Sequence, residues 1–329
     1  MGGGFTSRNV GDSSGWDVGH SESYGSYSSE AEEKVGRTSA TSDTSPRRNV
    51  ETEVANPIAL GIDVTGSMGD AAFTLWDKMP LLFGQLKLQE YCEEPAVSFF
   101  AVGDYRAGDK SPLQVCDFAE GDGLDDWISK IFVEHGGGGS ITESYELAAY
   151  YYLRHCKTPG AKRGFFFTIG DEAPYSTVEA KDAKSVFGDE SAQTASTPSV
   201  WTELSKKMEV IHIHIPYRGR SGTTQEVGRR WREVLPEGRV LPLKDPKGVV
   251  DLVLGAVALL NGTRTLDNYL GDLRCENGIR EEPQTPERIE AIKDALAPLW
   301  TSIQEHGLPK EKKKVGLGRV KKIKKVMKK

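Results

Sequence analysis

Cysteine is scarce in this chain, and the four present (Cys92, Cys116, Cys156 and Cys275) stand far apart with neither metal-site nor redox spacing. That excludes a disulfide scaffold and a zinc ribbon, and it predicts unpaired core thiols in a reducing compartment. No apolar run approaches the length that spans a bilayer, and no charged, apolar and cleavable leader opens the sequence, so a cytoplasmic protein is expected. Histidine is also rare, at six residues. Two of these, His212 and His214, alternate with isoleucines in Val210-Ile-His-Ile-His-Ile215. They therefore share one face of a strand and read as buried side chains under a helix rather than as ligands.

Aliphatic residues are few in the first stretch, where Gly, Ser, Thr and charge dominate through residue 53. Such a segment buries too little surface to offset backbone ordering, so a disordered tail is expected over 1–53. Its opening, Met1-Gly2-Gly3-Gly4-Phe5-Thr6, formally fits an acylation pattern of a kind that glycine-rich starts produce by chance. Basic charge is concentrated at the other end. Residues 310–329 hold eleven Lys and Arg against one Glu, so the net charge of −6 leaves about −16 on the remainder. In Val320, Ile323, Val326 and Met327 that tail carries a narrow apolar stripe at helical spacing. Anionic lipid, nucleic acid or an acidic protein groove would suit it, although it lacks the aromatics that base stacking uses.

Between the tails the pattern alternates. The stretch Pro57-Ile-Ala-Leu-Gly-Ile-Asp-Val-Thr-Gly-Ser-Met68 runs from an apolar strand into small polar residues, and Ala71, Leu75, Met79, Leu82 and Leu86 then recur at helical spacing. Ser67 is the expected N-cap, with Asp70 three residues on. Further strands are expected over 96–102, 112–119 (antiparallel to the one before it), 164–169, 210–215 and 239–243. Helices are expected over 124–133, through Tyr145 to Tyr152, over 224–235 and over 246–260, the last opened by Asp245 and Pro246. The stretch 175–199 reads as an insertion with a broken helix, and 286–306 as a helix interrupted at Pro298. The order predicts an α/β fold with a doubly wound, mostly parallel six-stranded sheet. The expected divisions are a main domain over 54–264, a helical extension over 265–309 and the basic tail over 310–329.

Three loops at strand ends or helix starts carry hard oxygen donors: Asp63-x-Thr65-x-Ser67, Gly138-Gly139-Ser140-Ile141-Thr142 and Gly170-Asp171. Carboxylates and hydroxyls of this kind suit Mg²⁺. Together the loops resemble the von Willebrand factor type A domain, whose metal-ion-dependent adhesion site joins Asp-x-Ser-x-Ser to a later Thr and a later Asp. The resemblance covers roughly residues 56–262, including the closing Asp245-Pro-x-x-Val-Val-Asp-Leu252. It implies a Rossmann-like sheet with Mg²⁺ or Mn²⁺ at its carboxyl edge. The implied ligands are Asp63, Thr65, Ser67, Thr142 and Asp171, with Ser140 in reserve. It also implies a non-enzymatic module that binds a protein partner through an Asp or Glu carboxylate. Asp104, Tyr105, Arg106 and Glu172 are expected on the partner-facing rim.

Two departures accompany the match. Thr65 replaces a serine while keeping the hydroxyl, and Gly170 stands where many members carry Thr or Ser. The alternative is a haloacid-dehalogenase-like phosphotransferase with Asp63 as nucleophile, since Asp63-Val-Thr-Gly-Ser67 is similar to that superfamily's phosphorylation loop. Val64 in place of Lys, and Thr65 where a second carboxylate is common, weigh against it. An aspartic-protease motif needs Asp-Thr-Gly, which Val64 interrupts.

Overall fold

The computed structural model describes residues 40–121, 123–133, 140–217, 222–278 and 282–309. The basic tail, the acylation pattern, Gly138 and Gly139 lie outside the described residues. At the centre is a six-stranded sheet built from β1 (Asn56–Asp63), β2 (Pro95–Val102), β3 (Leu113–Val115), β4 (Gly164–Gly170), β5 (Met208–His214) and β6 (Val240–Pro242). The spatial order is β6-β5-β4-β1-β2-β3. Every pairing is parallel except β2 with β3, as the sequence leads one to expect. The chain builds outward from β1 through β2 on one side and from β4 through β5 on the other, so a crevice opens at the carboxyl ends of β1 and β4. Open α/β sheets hold their ligands at such a crevice.

Both sheet faces are buried, which is why β1 and β4 are continuously apolar rather than alternating. Ile58, Leu60 and Ile62 face one core with Phe165 and Phe167, whereas Ala59 and Phe166 face a second. The first face is covered by α1 (Asp70–Leu88), through Leu75, Met79, Leu82 and Leu86, and by the short α2 (Gly123–Ile128). The second carries α3 (Tyr145–Arg154), α4 (Ala180–Phe187), α5 (Thr197–Ser205) and α6 (Thr223–Val234). The chain then returns to the first face with α7 (Val249–Asn261), α8 (Leu266–Leu273) and α9 (Pro286–His306). Among the described residues no helix is long and apolar enough to cross a membrane. All four cysteines are free.

Several local expectations need correction. Residues 42–53 dock instead of trailing: Val50 and Glu51 pair with Cys156 and Lys157. Arg48 donates to the Val115 carbonyl at 2.8 Å and pairs with Asp117, and its own carbonyl accepts from the Tyr151 hydroxyl at 2.7 Å. Backbone and guanidinium contacts hold this segment, and a hydrophobicity pattern does not register them. The stretch 175–199 folds as a unit: Thr177 and Val178 pair antiparallel with Ser196 and Ala195 around α4. Asp245 caps a 3₁₀ turn, Pro246–Gly248, before α7 begins. Helix α9 runs unbroken through Pro298, because Ile289, Ile292, Leu296, Leu299 and Ile303 bury one continuous face on both sides of it. That burial outweighs the roughly 3 kcal/mol a helical proline costs.

Candidate metal centre

Strand β1 ends at Asp63, and the chain folds back on its carboxylate. Asp63 Oδ1 accepts from the Thr65 amide at 2.9 Å and from the Thr65 hydroxyl at 2.6 Å. A 3₁₀ turn, Gly66–Met68, follows, and Gly69 enters α1 at φ +48°, a backbone conformation that favours glycine. Gly69 thus holds the N-cap position expected for Ser67. The Ser67 hydroxyl is committed elsewhere: it donates to Asp171 Oδ1 at 2.9 Å, across 104 residues of chain, and lies 3.3 Å from the Thr65 hydroxyl. Asp63, Thr65, Ser67 and Asp171 therefore form one hydrogen-bonded group.

Thr142 arrives from the opposite side. Thr142 and Glu143 pair in parallel with Ala173 and Pro174, which brings Thr142 alongside the chain just past Asp171. The Ser140 and Thr142 hydroxyls lie 2.7 Å apart, and the Ser140 oxygen accepts from the Thr142 amide at 3.1 Å. The two threonine-loop hydroxyls thus bond to each other, and the Tyr175 phenol meets them while donating to Asp104 Oδ2 at 2.9 Å. The Ser144 amide donates to the Gly103 carbonyl at 3.1 Å, tying this loop to the end of β2.

The rim is less open than the sequence implies. Asp104 and Glu172 are 0% and 3% exposed, turned inward rather than toward a partner. Arg106 is engaged by Asp182 at 3.0 Å and sits 4.4 Å over the Tyr175 ring, while Tyr105 is half-buried. Sequence reasoning missed Tyr145, Glu143 and Tyr175. Tyr145 donates to Asp63 Oδ2 at 2.6 Å, so both oxygens of that carboxylate are engaged. The one available signal was Gly170: a Cβ there would stand 1.8 Å from the Tyr145 hydroxyl and 2.8 Å from the Asp63 Cβ.

The electrostatics follow from crowding acids in a buried place. Burial pushes the Asp63 carboxyl up to about 6, against the pull of the hydrogen bonds from Thr65 and Tyr145. Burial and then the Asp63 and Glu172 charges hold Asp171 well above the usual carboxylate range. Glu143 is raised likewise by burial and by the Asp63 and Glu172 charges, and burial takes Glu172 to about 8. Two buried carboxylate oxygens here, Asp171 Oδ2 and Glu143 Oε2, have no hydrogen-bond partner among the described residues. An unpartnered buried acceptor is costly, so these atoms mark a place short of positive charge.

Among the described residues no group of three or more His, Cys, Asp or Glu is arranged to hold a metal. The donor set here is of another kind, two aspartates with interleaved hydroxyls, and it fits a hard cation such as Mg²⁺. The far wall of the site is aromatic. His212 stacks on Trp231 with ring centroids 3.7 Å apart, and Trp231 Nε1 donates to the Glu172 carbonyl at 2.8 Å. Both histidines are buried, as their alternation predicts.

No protein-family model matches the chain, and no curated protein matches it either. Solved structures with a similar arrangement include the pilus adhesin SpaC from Lactobacillus rhamnosus GG in its open conformation. The identity is 11% and the TM-score 0.46, over 65% of this chain and 31% of that one. Another is proximal thread matrix protein 1 from the mussel byssus, at 11% identity and TM-score 0.42, over 63% of this chain and 49% of that one. The chain thus spans about a third to a half of the length of these structures.

Proposed function

We propose that this chain is a doubly wound von Willebrand type A module that binds a divalent cation and, through it, a carboxylate of a protein partner. The observation that carries the reading is the hydrogen-bonded group Asp63, Thr65, Ser67 and Asp171, drawn from the ends of β1 and β4. Asp63, Thr65, Ser67, Asp171 and the threonine-loop hydroxyl of Thr142 would hold Mg²⁺ or Mn²⁺, with Ser140 able to exchange for Thr142. Bound there, the ion supplies an electrophilic position that a partner's Asp or Glu oxygen completes.

The chain's own residues fix the aspartates, exclude bulk water from them and crowd negative charge where a cation relieves it. A binding role is supported over a phosphotransferase role because Asp63 is 0% exposed and both its oxygens already accept hydrogen bonds. Such a carboxylate is poorly placed to attack phosphorus. The four free thiols support an intracellular setting. Affinity capture with the full chain as bait, run in Mg²⁺ and again in EDTA, tests the reading. A partner retained only with the cation, and lost with Asp63→Ala, is expected. Equal capture in EDTA by both proteins would sink the cation-bridged mechanism.

A further inference from the structure

We infer that Tyr145 is the residue that orients Asp63 for the cation, its phenol filling the space that Gly170 leaves bare. The inference rests on the metal-module reading above and adds to it a positioning residue on α3, outside the three loops.

The geometry carries it in three steps. Asp63 Oδ1 is fixed from its own loop by Thr65, which leaves rotation about the side chain to be stopped at Oδ2. Among the described residues the hydrogen bond at Oδ2 comes from Tyr145, at 2.6 Å and across 82 residues of chain. The phenol is in turn immobilised. Tyr145 is 0% exposed and its ring meets Trp231 edge-on at 5.3 Å and His212 edge-on at 5.8 Å. Trp231 is the same side chain that holds the Glu172 carbonyl, so one aromatic block references both aspartate loops to each other.

Gly170 completes the device. Any Cβ at that position would stand 1.8 Å from the Tyr145 oxygen. A side chain at position 170 and the phenol from α3 therefore compete for one space, and this chain has the phenol. Without it, Asp63 Oδ2 becomes a buried carboxylate oxygen with no donor. A hydrogen bond to a charged group of that kind is worth a tenfold or larger change in an equilibrium.

Calorimetric titration of the full chain with Mn²⁺ tests this, comparing wild type, Tyr145→Phe and Tyr152→Phe. Tyr152 is a matched control: it lies on the same helix, is buried, and pairs its hydroxyl with Ser98 at 2.7 Å, away from Asp63. Tyr145→Phe is expected to weaken Mn²⁺ at least tenfold, and Tyr152→Phe less than twofold. The rise in Tm from EDTA to Mn²⁺, read within each variant, separates positioning from lost packing: it should shrink for Tyr145→Phe alone. Wild-type affinity in Tyr145→Phe, with wild-type binding intact, would overturn the positioning role and leave the metal module standing. Equal weakening in both tyrosine variants would reduce Tyr145 to a packing residue. Absence of Mn²⁺ binding by wild type would overturn both readings.

Discussion

Asp63 sits at the end of β1 with hydroxyls on one side of its carboxylate and other acids on the other. Thr65 and Tyr145 satisfy its oxygens, while Asp171 and Glu172 crowd it with charge. Space is as limiting as charge. Gly170→Ala places a methyl against the Tyr145 hydroxyl and the Asp63 Cβ, so overpacking should cost about 1–3 kcal/mol. Urea unfolding of the variant in EDTA checks this, and an unchanged midpoint would show that the crevice yields. Asp63, Thr65, Ser67 and Asp171 were legible in the sequence because short polar loops after apolar strands stand out. Tyr145 was not, because its spacing with Leu147, Ala148 and Tyr152 is that of any buried helix face. A rim position is the expectation for Asp104 and Glu172; instead Tyr175 and the Glu143 loop close over them.

At the scale of elements, α9 shows where pattern reading stops. Pro298 signals a break, yet the buried face continues past it, and what decides between them is the partner surface on α7. Gly255 of α7 lets Leu296 and Tyr269 approach so closely that an added Cβ would stand 2.5 and 2.6 Å from them. The segment expected as an extension over 265–309 therefore shares its core with the segment expected to close the main domain. Leu296→Ala, at 0% exposure, should cost about 2–5 kcal/mol by cavity formation, measured as a lowered urea midpoint with an unchanged slope. A change of a few tenths would mean that α9 is only loosely applied. The strands were readable for the opposite reason: Phe165 to Ile169 has no polar residue but Thr168, and a run like that has few homes other than a sheet covered on both sides.

For the whole molecule, buried acids dominate the response to pH. Glu146 and Glu172 both titrate near 8, and Asp63 near 6, each raised chiefly by burial. An acid raised in the folded state contributes stability that is full below its ordinary value and is lost as pH rises through the folded one. His212 and His214 act in the other direction. Burial lowers both, His214 to about 4, so their contribution is full above about 6.5 and is lost on acidification. From pH 7 to 9 the raised acids lose their contribution, joined near pH 9 by the buried thiols of Cys92, Cys116 and Cys156, which burial also raises, and in EDTA the Tm should fall across that interval. Mg²⁺ competes with those protons, so the rise in Tm it produces should grow over the same range. A flat profile in EDTA would show that the acids are solvated in solution.

Titration of the full chain with Mg²⁺ by isothermal calorimetry at pH 7.5, for wild type and for Asp63→Ala, tests the central claim most directly. The account predicts one saturable site in the wild type, and none in an Asp63→Ala protein that still unfolds cooperatively. Equal binding by the two proteins, or no binding by the wild type, would contradict it.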